Sequence, residues 1–515
     1  MAFSATPSNS PDATNNGIES TPLLQQHTRP ANVEAGRCFE PAAFLPNEFV
    51  DSDSVSTITI AKQEASLLIA SSIPLALAYL LQYGFNFINM LSVGHLGADK
   101  LAAAALGTMT ICMLIDAPAT GLACALDTFC STGFTGSDDK TLVGFHLQRG
   151  FIAVAVQFLL VLPILINIEP ILIALNQDPA VSHLCGRFVY AQLFGLLPWM
   201  FFECIKRFLQ AQGHMKASTY VLLAVLPLHL VSTYLFVWSP IGFGFLGAAV
   251  ANVVTFWAML IGIIIYSWHS SARAAWGGWT HRSFTTMLQY YRLAIPSATM
   301  IVSMWIAWEL MTLATSYLGN TALAAQSIVI STCSMAYQPI GGLVVAVTNR
   351  TGNLLGQARA RRSEISSATG LLLSAVLGSI IFALYILSAS WWGRVYSNEP
   401  DVVATVAMIM PICGFFFLFD STANVSGGVI RSLGRQAAGA WISIPSYYII
   451  GLPFGLYLTY GPFEMGVHGI WIGLCTAIIA TAAAQTLICM RANYTEEVKR
   501  CMAQVSQSET AANQL

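Results

Sequence analysis

Residues 73–103 read IPLALAYLLQYGFNFINMLSVGHLGADKLAA, and residues 295–325 read IPSATMIVSMWIAWELMTLATSYLGNTALAA. At an offset of 222 residues, Ile73-Pro74 falls on Ile295-Pro296, Leu96-Gly97 on Leu318-Gly319, and Leu101-Ala102-Ala103 on Leu323-Ala324-Ala325. Far downstream, Gly247 meets Gly469 at the same offset. A register held over so long a stretch marks a tandem duplication. Each copy also opens on an apolar run that a bilayer would accept as a helix.

Composition agrees. The 515 residues are 55% hydrophobic and only 9% charged, whereas a soluble domain carries about 25% charged residues. Mean hydropathy is +0.63. A polar surface for a soluble protein of this size cannot be assembled from these side chains. The net charge of −2 offers nothing to nucleic acid. The 11 cysteines fall mostly in apolar stretches, among them Cys112, Cys124, Cys130, Cys333, Cys413 and Cys475, as small packing residues do. There is no CxxC, no HExxH and no Gly-Lys dipeptide, so neither a metal site nor a P-loop is expected.

Apolar stretches recur at about 65–90, 101–133, 145–168, 180–211, 216–238, 245–268, 288–318, 321–355, 366–390, 401–430, 437–460 and 466–490. The expected fold is an all-α polytopic membrane protein. Its twelve transmembrane helices form two six-helix lobes related by a pseudo-two-fold along the membrane normal, because an even number of spans gives both copies the same orientation. The domains read as a disordered tail at 1–60, an amino-terminal lobe at 61–270, a linker at 271–287, a carboxyl-terminal lobe at 288–490 and a polar tail at 491–515. No cleavable signal peptide is expected, since the first long apolar segment follows Lys62 and Glu64. With both tails in the cytosol, 20 of the 23 Lys and Arg residues fall inside, leaving Lys100, Arg187 and Arg394 outside.

Carboxylates within spans are costly and mark sites of function by default. Five occur: Asp116, Asp127, Glu203, Glu309 and Asp420. Glu309 follows Trp305 by one turn, with Trp308 beside it and Thr312 close by, and has no Lys or Arg within a turn. Asp420 ends a run of aromatics, with Phe416 one turn before it and Asn424 one turn after. Aromatic faces beside carboxylates suit a cation-binding pocket, with Trp305, Trp308, Tyr337 and Phe416 as walls. Glu203 has Lys206 and Arg207 at i+3 and i+4, and an intrahelical ion pair accounts for it. Asp127 aligns with Asn349 in the repeat, a shared polar packing position. Asp116 precedes Pro118 and is expected to bond backbone freed by a kink. His95-x-x-x-Asp99 reads as a helix-end turn. Pro74, Pro118, Pro198, Pro296, Pro339 and Pro411 mark bends within the spans.

Several motifs resemble the multidrug and toxic compound extrusion (MATE) family in its eukaryotic, fungal-like form. They are Ser92-Val93-Gly94-His95-Leu96-Gly97, Ala125-Leu126-Asp127-Thr128, Leu147-Gln148-Arg149-Gly150 and Lys206 to Gly213 in the first half. Glu309, Arg350 to Gly356 and Ser426 to Arg431 follow in the second. The resemblance implies secondary antiport of organic compounds, with proton coupling carried by a glutamate of the seventh helix and an acid of the tenth. Those positions carry onto Glu309 and Asp420. Many relatives have glutamate at the second, so aspartate is a departure. The aspartate that many prokaryotic members use in the first helix has no counterpart here, where the span offers Gln82, Asn86 and Asn89.

The expected function is therefore proton-driven export of organic, cationic and amphipathic solutes by a monomer, with a proton gradient and no cofactor. The alternatives are a lipid or lipid-linked oligosaccharide flippase and a membrane-embedded acyltransferase. The first calls for intramembrane cations to grip phosphate, which are almost absent from the spans. The second calls for a histidine site that no motif supplies. Glu19-Ser20-Thr21-Pro22-Leu23-Leu24 fits an acidic dileucine signal for a sorting adaptor, which favours the vacuolar membrane over the plasma membrane. An impermeant thiol reagent should reach cysteines placed in both tails and in the 269–287 loop only from the cytosolic side. Labelling of that loop from outside would overturn the orientation.

Overall fold

The computed structural model describes residues 55–239 and 242–513, all within a compact unit spanning Phe39–Leu515. The Glu19–Leu24 motif and nearly all of the 1–60 tail lie outside the described residues. Among those described, every regular element is helical. Twelve helices are long and apolar enough to cross a membrane: α1 Thr57–Gly94, α2 Asp99–Gly136, α3 Thr141–Ile166, α4 Pro179–Ala211, α5 Ala217–Trp238, α6 Phe245–His269, α7 Met287–Ser316, α8 Asn320–Gly356, α9 Ala360–Val395, α10 Pro400–Ser432, α11 Gln436–Tyr460 and α12 Val467–Arg491. Each matches one expected span. Several helices outrun their apolar stretches, most of all α1, which starts at Thr57 where the Ser56 hydroxyl accepts from the Thr59 amide.

Two features differ from expectation. The 491–515 segment carries a helix, α13, over Tyr494–Asn513. Its buried residues Tyr494, Glu497, Cys501, Val505 and Ser508 recur at helical spacing, a pattern too polar to stand out in a search for spans. The spans also hold buried cations after all. Lys206, Arg207, Arg350 and Arg362, counted from the sequence as loop residues, are each no more than 3% exposed. They lie in the last turns of α4 and α8 and the first turn of α9, at the end that the charge pattern assigns to the cytosol (the basic end).

The duplication explains several glycines. Gly97 and Gly319 close the α1–α2 and α7–α8 turns with φ of 119° and 105°, a region that side chains other than glycine disfavour. Gly247 and Gly469 let α6 and α12 approach the backbone of α5 and α11. A Cβ on Gly247 would stand 1.9 Å from the Phe236 carbonyl oxygen, and one on Gly469 2.7 Å from the Thr459 amide nitrogen. The proline positions hold too: Pro74, Pro198, Pro296, Pro339 and Pro411 lie inside helices, and Pro118 follows a π turn at Cys112–Asp116.

Each lobe has its own apolar core, one built from residues between Ala78 and Ala294 and the other mainly from Ala307 onward. The lobes meet through α1 against α8 and α2 against α7, and their polar contacts concentrate at the basic end. Glu64 of α1, fully buried, accepts from Arg350 of α8 at 2.7 and 2.8 Å and from Arg362 of α9 at 2.6 Å. Thr128 Oγ1 of α2 donates to the Arg431 carbonyl of α10 at 2.7 Å, and Thr135 Oγ1 donates to the Asn353 carbonyl of α8 at 2.9 Å.

Gly247→Ala and Gly469→Ala should each destabilise the protein by about 1–3 kcal/mol, the usual range for overpacking, read as a lower thermal midpoint in detergent. Gly84→Ala, whose Cβ would meet nothing within 4 Å, should leave the midpoint unchanged. Equal behaviour of the three variants would contradict the close helix approach.

Candidate functional site

The structure sorts the buried acids by what neutralises them. Glu203 pairs with Lys206 at 2.5 Å on its own helix, as its spacing implied. Gln82 of α1 joins them, donating to Glu203 at 3.1 Å and accepting from Lys206 at 3.3 Å. Lys206 also stands 4.9 Å from the centre of the Tyr79 ring, a cation–π contact. Arg207 turns instead to Asp127 of α2 and pairs with it. The local i+4 rule could not show that partner, which lies 80 residues away in the chain. Asp127 is thus a structural anion held by a guanidinium rather than a free site acid. Asn89 is engaged as well, donating to Asn252 of α6.

Three of the five span acids, Asp116, Glu309 and Asp420, have no cationic partner among the described residues. Asp116 ends the π turn of α2, but it does not satisfy the backbone freed there. Gln157 of α3 does so, donating to the Leu114 and Ile115 carbonyls at 3.1 and 3.2 Å. Glu309 of α7 is half-buried and bonds to no other described residue. Asp420 of α10 is 3% exposed. Its Oδ1 accepts from Asn424 Nδ2 at 2.9 Å, and Asn424 Oδ1 in turn accepts from the Tyr337 hydroxyl of α8 at 3.4 Å. Asp420, Asn424 and Tyr337 therefore form a neutral-donor network around one carboxylate. No hydrogen bond joins this network to Glu309 among the described residues.

The aromatic candidates divide too. Trp308 packs edge-on against Phe416 and against Trp471 of α12, each at 5.6 Å between ring centres. Phe416 is only 2% exposed and Trp471 is fully buried. Phe416 thus belongs to the interior of the carboxyl-terminal lobe and the half-buried Trp308 packs on it, both against Trp471, whose indole donates to Gln326 at 2.8 Å. Sequence reasoning missed Trp471 and Gln326 because neither neighbours an acid in the chain. Trp305 stays on the open side, 38% exposed and on the Glu309 face. Thr312 bonds back to the Trp308 carbonyl at 3.1 Å. His95 Nδ1 lies 2.8 Å from the Leu91 carbonyl oxygen, a helix-end contact as expected. The described residues hold no His, Cys, Asp and Glu cluster fit for a metal.

Twelve membrane helices in two repeat-related lobes, with unneutralised acids inside the spans, define a membrane transporter rather than an enzyme. The MatE family model matches the chain twice, over residues 74–235 and 296–457, at the same 222-residue offset as the internal repeat. The chain belongs to this family of multidrug and toxic compound extrusion transporters. It is 36% identical to an uncharacterised transporter of Schizosaccharomyces pombe, covering 84% of this chain and 80% of that one. It is 30% identical to multidrug and toxin extrusion protein 2 of Mus musculus, covering 87% and 78%. Among solved structures, the eukaryotic MATE transporter AtDTX14 superposes with a TM-score of 0.80 at 26% identity, covering 87% of this chain and all of that one.

Asp127→Asn should strand Arg207 as a buried, unmatched charge and destabilise the protein by about 3–5 kcal/mol. Glu309→Gln breaks no ion pair and should leave the thermal midpoint near that of the wild type. A reversed order of the two midpoints would refute this division of the acids.

Proposed function

We propose that this transporter exports organic, cationic and amphipathic solutes in exchange for protons, with Glu309 and Asp420 as the groups that exchange the two. One observation carries the reading: Glu64, Asp127 and Glu203 each have an Arg or Lys partner, whereas Glu309 and Asp420 have none among the described residues. A carboxylate in a low-dielectric setting without a counter-ion favours its protonated form, and an approaching cation favours the ionised one. Proton and cationic solute then compete for the same oxygens. That competition couples the fluxes with no covalent step. Asn424 and Tyr337 orient the Asp420 carboxyl, and Trp305 offers an exposed aromatic face beside Glu309 for the apolar part of a solute. Asp116, which likewise has no cationic partner among the described residues, is a third acid able to share the load.

The experiment is flux of a fluorescent organic cation into inside-out vesicles under an imposed pH gradient, normalised to protein. Glu309→Gln removes the titratable group while keeping nearly the same shape, and flux should fall to the protein-free background. Asp420→Asn should do the same, and Asp420→Glu should keep part of the flux because the carboxylate survives. A sodium gradient in place of the proton gradient should drive nothing. Full proton-driven flux through Glu309→Gln would sink the mechanism.

A further inference from the structure

We propose that α13 is a latch across the lobe seam, fastened to the carboxyl-terminal lobe and released from the amino-terminal lobe when the basic end opens. The inference rests only on the lobes parting at that end, whichever ion drives them.

The attachments of α13 are sorted along its length. It leaves α12 after Ala492-Asn493, so its root is covalently part of the carboxyl-terminal lobe. Glu497, one turn in and 2% exposed, pairs with Arg435 at the α10–α11 turn and with Arg500 at 3.1 Å. The later turns face the other lobe. Cys501 lies beside Thr132 of α2 across a shared cavity, and Val505 Cγ2 is 3.5 Å from the Cβ position of Gly136. The Ser137 hydroxyl, just past the end of α2, donates to Glu509 Oε1 at 2.5 Å. Arg282 of the inter-lobe linker donates to the Ala512 carbonyl.

The grip beneath the helix combines apolar contacts through Tyr494, Cys501 and Val505 with polar ones, and it is incomplete. A cavity of about 140 Å³ lies under it, lined by Thr128 and Thr132 of α2, Ser432 and Arg435 of the carboxyl-terminal lobe, and Glu497 and Gln504 of α13. Glu497 Oε2 is buried there without a hydrogen-bond partner. Small polar interfaces permit relative motion, whereas large apolar ones resist it. Directly behind α13 lie the seam bonds that opening must break, Thr135 to Asn353 and Thr128 to Arg431. A helix bonded to both sides of a parting seam has to release one side. The root and the Glu497–Arg435 pair keep it on the carboxyl-terminal lobe, so the contacts through Glu509 and Ala512 are those that yield.

The test reads seam opening directly and needs no gradient or solute, so it is independent of whether Glu309 couples protons. A Thr135→Cys reporter in the full chain is labelled from the cytosolic side of inside-out vesicles with a membrane-impermeant maleimide. Labelling of the protein without the reporter is subtracted. Adding Glu509→Ala removes the charge-assisted bond to Ser137 and should speed labelling by about tenfold. Deletion of residues 506–515 should do the same while sparing Glu497, and both proteins should stay monodisperse on size exclusion. Lys499→Ala, on the exposed face and paired with Glu496, should not change the rate. Unchanged labelling in both latch variants, or an equal rise with Lys499→Ala, would show that α13 is a fixed brace and overturn the proposal.

Discussion

A charge buried in a helix bundle has to be paired, hydrogen-bonded or protonated, and this constraint organises the whole transporter. Where acids have guanidinium or ammonium partners, helices are tied together: Glu64 binds α1 to α8 and α9, and Asp127 binds α2 to α4. These ties cluster toward the basic end, where the Glu64 tie crosses the seam between the lobes and the Asp127 tie braces the amino-terminal lobe. Where acids have only neutral neighbours or none, they remain free to take a proton. The same rule thus seals one end of the molecule and leaves titratable groups within the spans.

The fold was legible because a bilayer admits few solutions. Backbone groups in hydrocarbon must bond within their own helix, so apolar length alone located all twelve spans, and the repeat supplied the two-lobe arrangement. The glycines of the repeat were legible as positions and have now acquired reasons: a left-handed turn at Gly97 and Gly319, and backbone contact at Gly247 and Gly469. The span ends were less legible, because a helix continues past its apolar run wherever its buried face finds polar partners in another helix. Arg362 reads as a loop cation for that reason, and the amphipathic helix α13 reads as a polar tail.

The site was legible as a set of acids but not as a network. Intrahelical spacing identified the Glu203–Lys206 pair correctly. It could not assign Arg207 to Asp127, nor give Gln157 the task expected of Asp116. Those contacts join residues far apart in the chain, and only packing brings them together. Trp308 and Phe416 show the same limit from the apolar side. They share faces with acids in their own helices, yet Trp471 from a third helix draws them into the core.

Comparing the two copies separates scaffold from chemistry. At the 222-residue offset Glu309 answers to Phe87 and Asp420 to Pro198, while Asp127 answers to Asn349, Glu203 to Val425 and Arg207 to Val429. The ion pairs of the amino-terminal lobe therefore have no partners in the repeat, and neither do the free acids of the carboxyl-terminal lobe. The duplication supplied backbone, turns and close helix approaches; the charges were distributed afterwards, and unequally. An amino-terminal lobe whose cations and acids largely cancel internally moves as a rigid body with little change in its own electrostatics. Under the proposed mechanism, a carboxyl-terminal lobe with unneutralised carboxylates would change charge when protons or cations arrive. Its fit against the other lobe would change with it. Under that mechanism, the asymmetry between two folds of common origin would let a binding event in one lobe be read as motion against the other.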